Sequence, residues 1–335
     1  MDLELIANAG YNVVKTYELV WDKKVLDKMQ ELGLMYLAGF SDYDLSSGRY
    51  ERWLRSFARH PAVLGYVFGN EYNRYSEMRE NDRWYKLLAA TVKSVRQMER
   101  AARDGSAARG TPEYIPGRLI TTAQGGRKDA GLFPTDLEWN RYFKPMLAAE
   151  ELNFLSFNGY FKTVQELNQF VNLYRLLSNN QPLFLSEIGR PSYIWRGTEE
   201  RSSDNQQYQR DFISQVLSFS RDNVNLIGSG IFEFADNLLR KHLTQTEGET
   251  GFNFIEHKFG LFEHFRQPKS AAYSLIDLLG LPRARLKAPD LTLDKYKEAK
   301  RILDSILLAA NSYSFDSLTP AELKTQEDID ANGLL

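Results

Sequence analysis

Residues 63–73 read VLGYVFGNEYN, and residues 181–191 read QPLFLSEIGRP. Each is an apolar run of the kind that forms a strand buried on both faces of a parallel sheet. Each ends on a carboxylate, Glu71 or Glu187. A carboxylate taken out of water is strongly disfavoured unless partnered, so a glutamate closing such a run marks a polar site at the strand end. Two of them on separate strands of one sheet can face each other across a cleft.

Outward from these two stretches, strand and helix alternate almost without break. The patterning predicts strands at 11–17 (YNVVKTY), 34–40 (LMYLAGF), 63–70, 118–123, 153–158, 182–187 and 225–234. Helices are expected at 22–32, 49–59, 82–103, 135–150, 163–178, 207–221 and 268–279, and Leu3–Ala9 resembles the end of another. In the first full helix Val25, Leu26, Met29 and Leu32 share a face, and Gly33 stops it. Residues 104–117, rich in glycine and proline, are expected to be loop.

Strict alternation implies a parallel sheet covered by helices. The expected fold is a (β/α)8 TIM barrel over residues 1–283. Only seven strands are present, and the first is the one missing. Such a gap exposes two apolar strand edges unless something fills it. Residues 284–335 are expected to form a helical extension, with Tyr296, Ala299, Ile302, Leu303, Ile306 and Leu307 on one stripe of 293–310 and a frayed acidic end over 320–335.

The chain has 335 residues, 43% hydrophobic and 26% charged, with a formal net charge of −2. Near-neutral charge argues against nucleic acid or an anionic membrane as the main partner. No run is long enough to span a membrane, and residues 1–20, with Asp2, Glu4, Lys15 and Glu18, lack a signal-peptide core. The absence of cysteine excludes thiolate chemistry and cysteine metal sites. His60, His242, His257 and His264 form no metal-ligand spacing, so no metal or cofactor is expected. There is no phosphate loop, dinucleotide fingerprint or GxSxG elbow.

In parallel α/β folds, ligands bind at the carboxyl ends of the strands. Numbered with the absent strand as first, Asn70-Glu71 follows strand four and Ser186-Glu187-Ile188-Gly189 closes strand seven. This pattern resembles the clan A glycoside hydrolases, above all the barrel of family 2 and the fungal-type glucanosyltransferases, over roughly residues 5–280. The resemblance implies a retaining β-glycoside hydrolase or transglycosylase acting on an oligo- or polysaccharide, with Glu71 as acid/base and Glu187 as nucleophile. It also implies that Asn70 contacts a sugar hydroxyl and that Tyr160 orients the nucleophile, with Asn158 as a companion. Lys15, with Tyr17 beside it, stands where the family usually has arginine. Phe232 or Phe234 stands near its usual tryptophan platform. Trp195 and Asp236 are further substrate-binding candidates, as are Trp21, Tyr43, Tyr72, Tyr75 and Asn237; Arg266 and Lys269 are expected to be structural. Lys15, Phe232 and the missing strand motivate an alternative, a catalytically inactive carbohydrate-binding barrel. A Schiff-base lyase has only Lys15 to offer.

Overall fold

A computed structural model describes residues 1–108, 117–126, 133–194, 203–236, 258–263 and 266–287. Six strands follow the expected order: β1 (Val13–Lys15), β2 (Met35–Phe40), β3 (Val63–Asn70), β4 (Leu119–Gly125), β5 (Leu155–Asn158) and β6 (Leu183–Ile188). A short antiparallel ladder, β7 (Tyr193–Ile194) with β8 (Ser203–Asp204), lies apart, and β9 (Leu226–Ile231) completes the main sheet. Its spatial order is that of the chain, β1-β2-β3-β4-β5-β6-β9, and every neighbouring pair is parallel. The result is a nearly closed TIM barrel lacking one strand. The gap falls between β9 and β1.

Helices cover the outside. Helix α1 (Asp2–Asn8) precedes β1, and α2 (Lys23–Glu31), capped by the Asp22 carboxylate on the Lys24 N–H, joins β1 to β2. The next crossovers carry α3 (Asp42–Ser46), α4 (Arg49–Phe57), α5 (Ser76–Arg79) and α6 (Arg83–Ala108). After β4 come α7 (Asp136–Glu138) and α8 (Lys144–Ala148); α9 (Val164–Leu177), α10 (Gln206–Asp222) and α11 (Ser274–Leu278) finish the layer. Large rings fill the space between sheet and helices. Trp53 of α4 is fully buried against Tyr36, Phe40 and Tyr66, and its indole N–H donates to the Val20 carbonyl at 2.8 Å. Inside the barrel a smaller cluster, Leu37, Val67 and Ala123, packs with Val13, Leu64 and Phe184.

Several expectations require adjustment. The strand expected over 11–17 pairs only through Val13–Lys15, since it has a neighbour on one side alone. Helix α3, a short turn with a Ser41–Asp44 capping box, is added between the strand expected over 34–40 and the helix expected over 49–59. The helix expected over 135–150 breaks into α7, a π-helical turn at Trp139–Phe143 and α8. Helix α6 continues to Ala108, past the expected loop start at 104; one glycine inside an alanine-rich turn weakens a helix by only about 1 kcal/mol. At the start of the expected 284–335 extension, a 3-10 turn, Arg283–Arg285, crosses the boundary and Leu286 is buried. The stripe over 293–310 and the acidic end lie outside the described residues. No described helix is long and apolar enough to cross a membrane.

Candidate active site

The two signal glutamates sit at the carboxyl ends of β3 and β6, and the backbone explains why each is held there. Gly69 turns β3 with φ +76°, where a Cβ would strike the Trp84 ring at 2.4 Å. Glu71 follows at φ +60°, and its N–H bonds the Ala123 carbonyl of β4 at 2.9 Å. Buried Asn73 locks this turn by exchanging two hydrogen bonds with the Gly125 backbone, at 2.8 and 2.9 Å. A Cβ at Gly125 would meet the Glu71 carboxyl carbon at 2.7 Å, so a larger residue there displaces the Glu71 side chain. On β6, Glu187 stands in register with Asn158 of β5, and its carbonyl accepts from the Gly159 N–H.

Glu187 is 6% exposed and fully engaged. Its Oε1 accepts from Lys15 Nζ at 2.9 Å and Tyr17 Oη at 2.7 Å, and its Oε2 accepts from Tyr160 Oη at 2.8 Å. Lys15 Nζ also reaches Asn70 Oδ1 at 3.2 Å, and Asn158 Nδ2 donates to the same oxygen at 3.1 Å. The Ser186 hydroxyl donates to Asn158 Oδ1 at 2.7 Å, fixing the Asn158 amide. Asn70 Nδ2 makes no bond among the described residues. Lys15, Tyr17, Asn70, Asn158, Tyr160 and Glu187 are thus one network, contributed by four strands and two loops. Glu71 is paired with Arg74, Nη1 to Oε2 at 2.5 Å, with Arg74 54% exposed at the rim.

Tyr160 holds the Glu187 carboxylate. Its ring is partly exposed, but burial of the hydroxyl end, the Glu187 charge and, at longer range, the Glu71 charge push the phenol well above its ordinary value. It is therefore a standing donor to Glu187 at any physiological pH. A phenol raised above its unfolded value of about 10 contributes stability that is complete below that pH and lost as the pH rises further. Tyr160→Phe is accordingly expected to leave unchanged the number of tyrosines that ionise reversibly below pH ~11, read by absorbance at 295 nm. Loss of one such tyrosine would contradict this placement. The same variant removes a hydrogen bond to a charge worth about 1.5–3 kcal/mol.

Other candidates are placed differently. Phe232 is buried behind the site, edge-on to Tyr160 at 6.0 Å and to Phe259 at 5.6 Å, so it supports Tyr160 from below. Phe234 packs on Phe262. Asp236 does not face the cleft. It is buried, and its Oδ1 accepts from Lys269 Nζ at 2.5 Å and the Gly260 N–H at 3.0 Å. Lys269, as expected, is structural: it is 1% exposed and also donates to Ser192 Oγ. Lys269→Met is expected to destabilise the fold by about 3 kcal/mol, measured by urea unfolding, because it removes the nearer cation from buried Asp236 and leaves Lys258 Nζ at 3.4 Å. A loss below about 1 kcal/mol would mean the pair is dispensable.

Tyr43 and Tyr75 are exposed, whereas Tyr72 packs on Trp84 and accepts from the Asp42 N–H, and Trp21 lies under Arg52. Trp195 and Asn237 lie outside the described residues. Sequence reading missed Arg74 as the partner of Glu71; its place three residues on, in a turn that returns on itself, was the available signal. Among the described residues no cluster of histidine or carboxylate side chains could hold a metal ion.

No protein-family model and no curated protein matches the sequence. Solved structures match at the level of fold. A β-glucuronidase from Faecalibacterium prausnitzii superposes with a TM-score of 0.54 at 16% identity, over 84% of this chain and 45% of that one. The Bifidobacterium dentium β-glucuronidase gives 0.53 at 15% identity, over 84% and 42%. That of Dictyoglomus thermophilum gives 0.54 at 16% identity, over 84% and 46%. The chain spans less than half the length of these proteins, and at such identity the likeness is one of fold.

Proposed function

We propose that this barrel is a retaining β-glycoside hydrolase or transglycosylase acting on an oligo- or polysaccharide by double displacement. Glu187 is the nucleophile and Glu71 the acid/base. The observation that supports the reading is a Glu187 carboxylate held by Lys15, Tyr17 and Tyr160 at the end of β6, with Glu71 following β3 at the same end of the parallel sheet.

In the first step a Glu187 oxygen bonds to the anomeric carbon while the glycosidic C–O bond breaks, and the departing oxygen takes the Glu71 proton. In the second, water gives a proton to Glu71 and attacks the same carbon, releasing the sugar and restoring Glu187. A sugar hydroxyl in place of water gives transglycosylation. Lys15, Tyr17 and Tyr160 fix the nucleophile's orientation before attack, and the free Nδ2 of Asn70 is available to a sugar hydroxyl. Arg74 sits on the acid/base at the rim, so it has to release Glu71 for proton transfer. β-Glucuronides head the substrate panel because several proteins of similar fold are named β-glucuronidases.

Incubation with 2-deoxy-2-fluoro glycosyl fluorides, followed by peptide mass mapping, tests the reading. One sugar on Glu187 is the expected adduct. No adduct and no hydrolysis across glucuronides, glucosides, galactosides and mannosides would overturn it.

The ion pairs Lys15–Glu187 and Arg74–Glu71 favour a second reading, an inactive carbohydrate-binding barrel, because each carboxylate already has a cationic partner. It requires sugar binding that survives Glu71→Gln and Glu187→Gln, with no turnover by the parent protein.

A further inference from the structure

Each of the paired glutamates has a cation of its own, and the two cations differ in freedom. Lys15 is 11% exposed and shared between Glu187 and Asn70. Arg74 Nη1 lies 2.5 Å from Glu71 Oε2, with 54% of the arginine side chain exposed against 14% of the glutamate. Arg74 therefore stands on the solvent side of the Glu71 carboxyl. The turn that carries it is fixed: its N–H donates to the Glu71 carbonyl at 2.8 Å, and Asn73 ties the turn to Gly125 of β4. The Arg74 stem crosses Gly125, where a Cβ would lie 2.6 Å from Arg74 Cδ. With the stem held and the head half-exposed, the guanidinium can leave Glu71 by side-chain rotation alone.

That placement decides which part of a substrate can reach it. An acid/base delivers its proton to the glycosidic oxygen, so the reacting ring lies between the two carboxyls and the leaving group lies beyond the acid. A group that meets Arg74 from the solvent side of Glu71 therefore belongs to the leaving group, or to the acceptor that later takes its place. An ion pair with one exposed member is weak and exchanges readily. A planar guanidinium matches a carboxylate with two parallel N–H bonds. A carboxylate on the leaving group can thus draw Arg74 away from Glu71, whereas a neutral leaving group has nothing to offer in return.

We propose that Arg74 is a specificity-determining residue that binds a carboxylate on the leaving group or acceptor, and that this carboxylate releases the acid/base. The substrate class is an oligo- or polysaccharide with an acidic sugar on the leaving-group side of the cleaved bond. The exchange makes and breaks ion pairs only. The guanidinium passes from Glu71 to the substrate, and Glu71 takes from solvent the one proton that it then delivers to the departing oxygen. This role rests on the assignment of Glu71 as acid/base.

Pairs of 3-carboxyphenyl and 3-carbamoylphenyl β-glycosides of glucose, galactose, mannose and glucuronic acid test this, since the members of a pair differ in charge only at the leaving group. For a sugar that is cleaved, kcat/KM is expected to be about tenfold or more higher for the acid than for the amide. Arg74→Gln is expected to bring that ratio to about one, slowing the acid and speeding the amide, because Glu71 is no longer held. Arg74→Lys, which keeps the charge but not the fork, is expected to retain part of the preference. Circular dichroism checks that both variants fold. No preference in the parent, or an unchanged ratio in Arg74→Gln, overturns the proposal. Where no glycoside is cleaved and no adduct forms on Glu187, the hydrolase reading falls, and titration calorimetry with the same pairs decides the carboxylate site separately. Tighter binding of the acid that Arg74→Gln removes upholds the site, and equal binding or none overturns it.

Discussion

Glu187→Gln is expected to lower glycoside turnover by about four orders of magnitude or more, since the amide cannot form the covalent intermediate with the anomeric carbon. The replacement keeps the shape of the side chain and one carbonyl acceptor. Lys15 retains its bond to Asn70, so the fold is expected to persist. Initial rates on an aryl glycoside, with circular dichroism as the folding control, give the measurement. A folded variant with more than about a tenth of parental activity would remove Glu187 from the chemistry. The inactive-barrel reading is separated by the parent protein itself, which in that case turns over nothing.

Glu71→Gln is expected to slow turnover by about 10²–10⁴-fold, the usual contribution of a positioned proton donor. The loss depends on the leaving group. Alkyl and sugar leaving groups need the proton and suffer fully, whereas a nitrophenolate departs without it and shows a much smaller loss in the first step. Added azide, which needs no general base, is expected to restore turnover of the nitrophenyl substrate and to yield a glycosyl azide of retained configuration. Equal losses for all leaving groups, with no azide product, would assign Glu71 a structural role. Arg74 lies outside this test, since its partner keeps the same length and an oxygen acceptor.

The two predictions rest on residues that differ in how easily they were found. Glu71 and Glu187 stand out because an apolar run that halts on a carboxylate contradicts burial, and the contradiction has to be resolved by a site. The network around them was only partly legible. Lys15 and Tyr160 could be named only through the family resemblance, and that Tyr17 donates directly to Glu187 depends on a contact 170 residues apart in the chain. Arg74, Asn73 and Gly125 were silent for a similar reason: a turn residue signals a turn, not the side chain across which it folds. Asp236 followed the strand-end rule and nevertheless turned inward, because buried Lys269, 33 residues on, offered it a charge partner that water on the cleft side could not match.

By itself the amino-acid sequence determined the alternation of strands and helices, the parallel direction of the sheet and the count of seven strands. These follow from local periodicity, which is set by which side chains must leave water. Tertiary structure alone decided which strand-end side chains pair with one another and which of them turn away from the cleft. Those outcomes depend on distances between residues far apart in the chain, and Coulomb and hydrogen-bond energies fall off too steeply with distance for any local pattern to encode them.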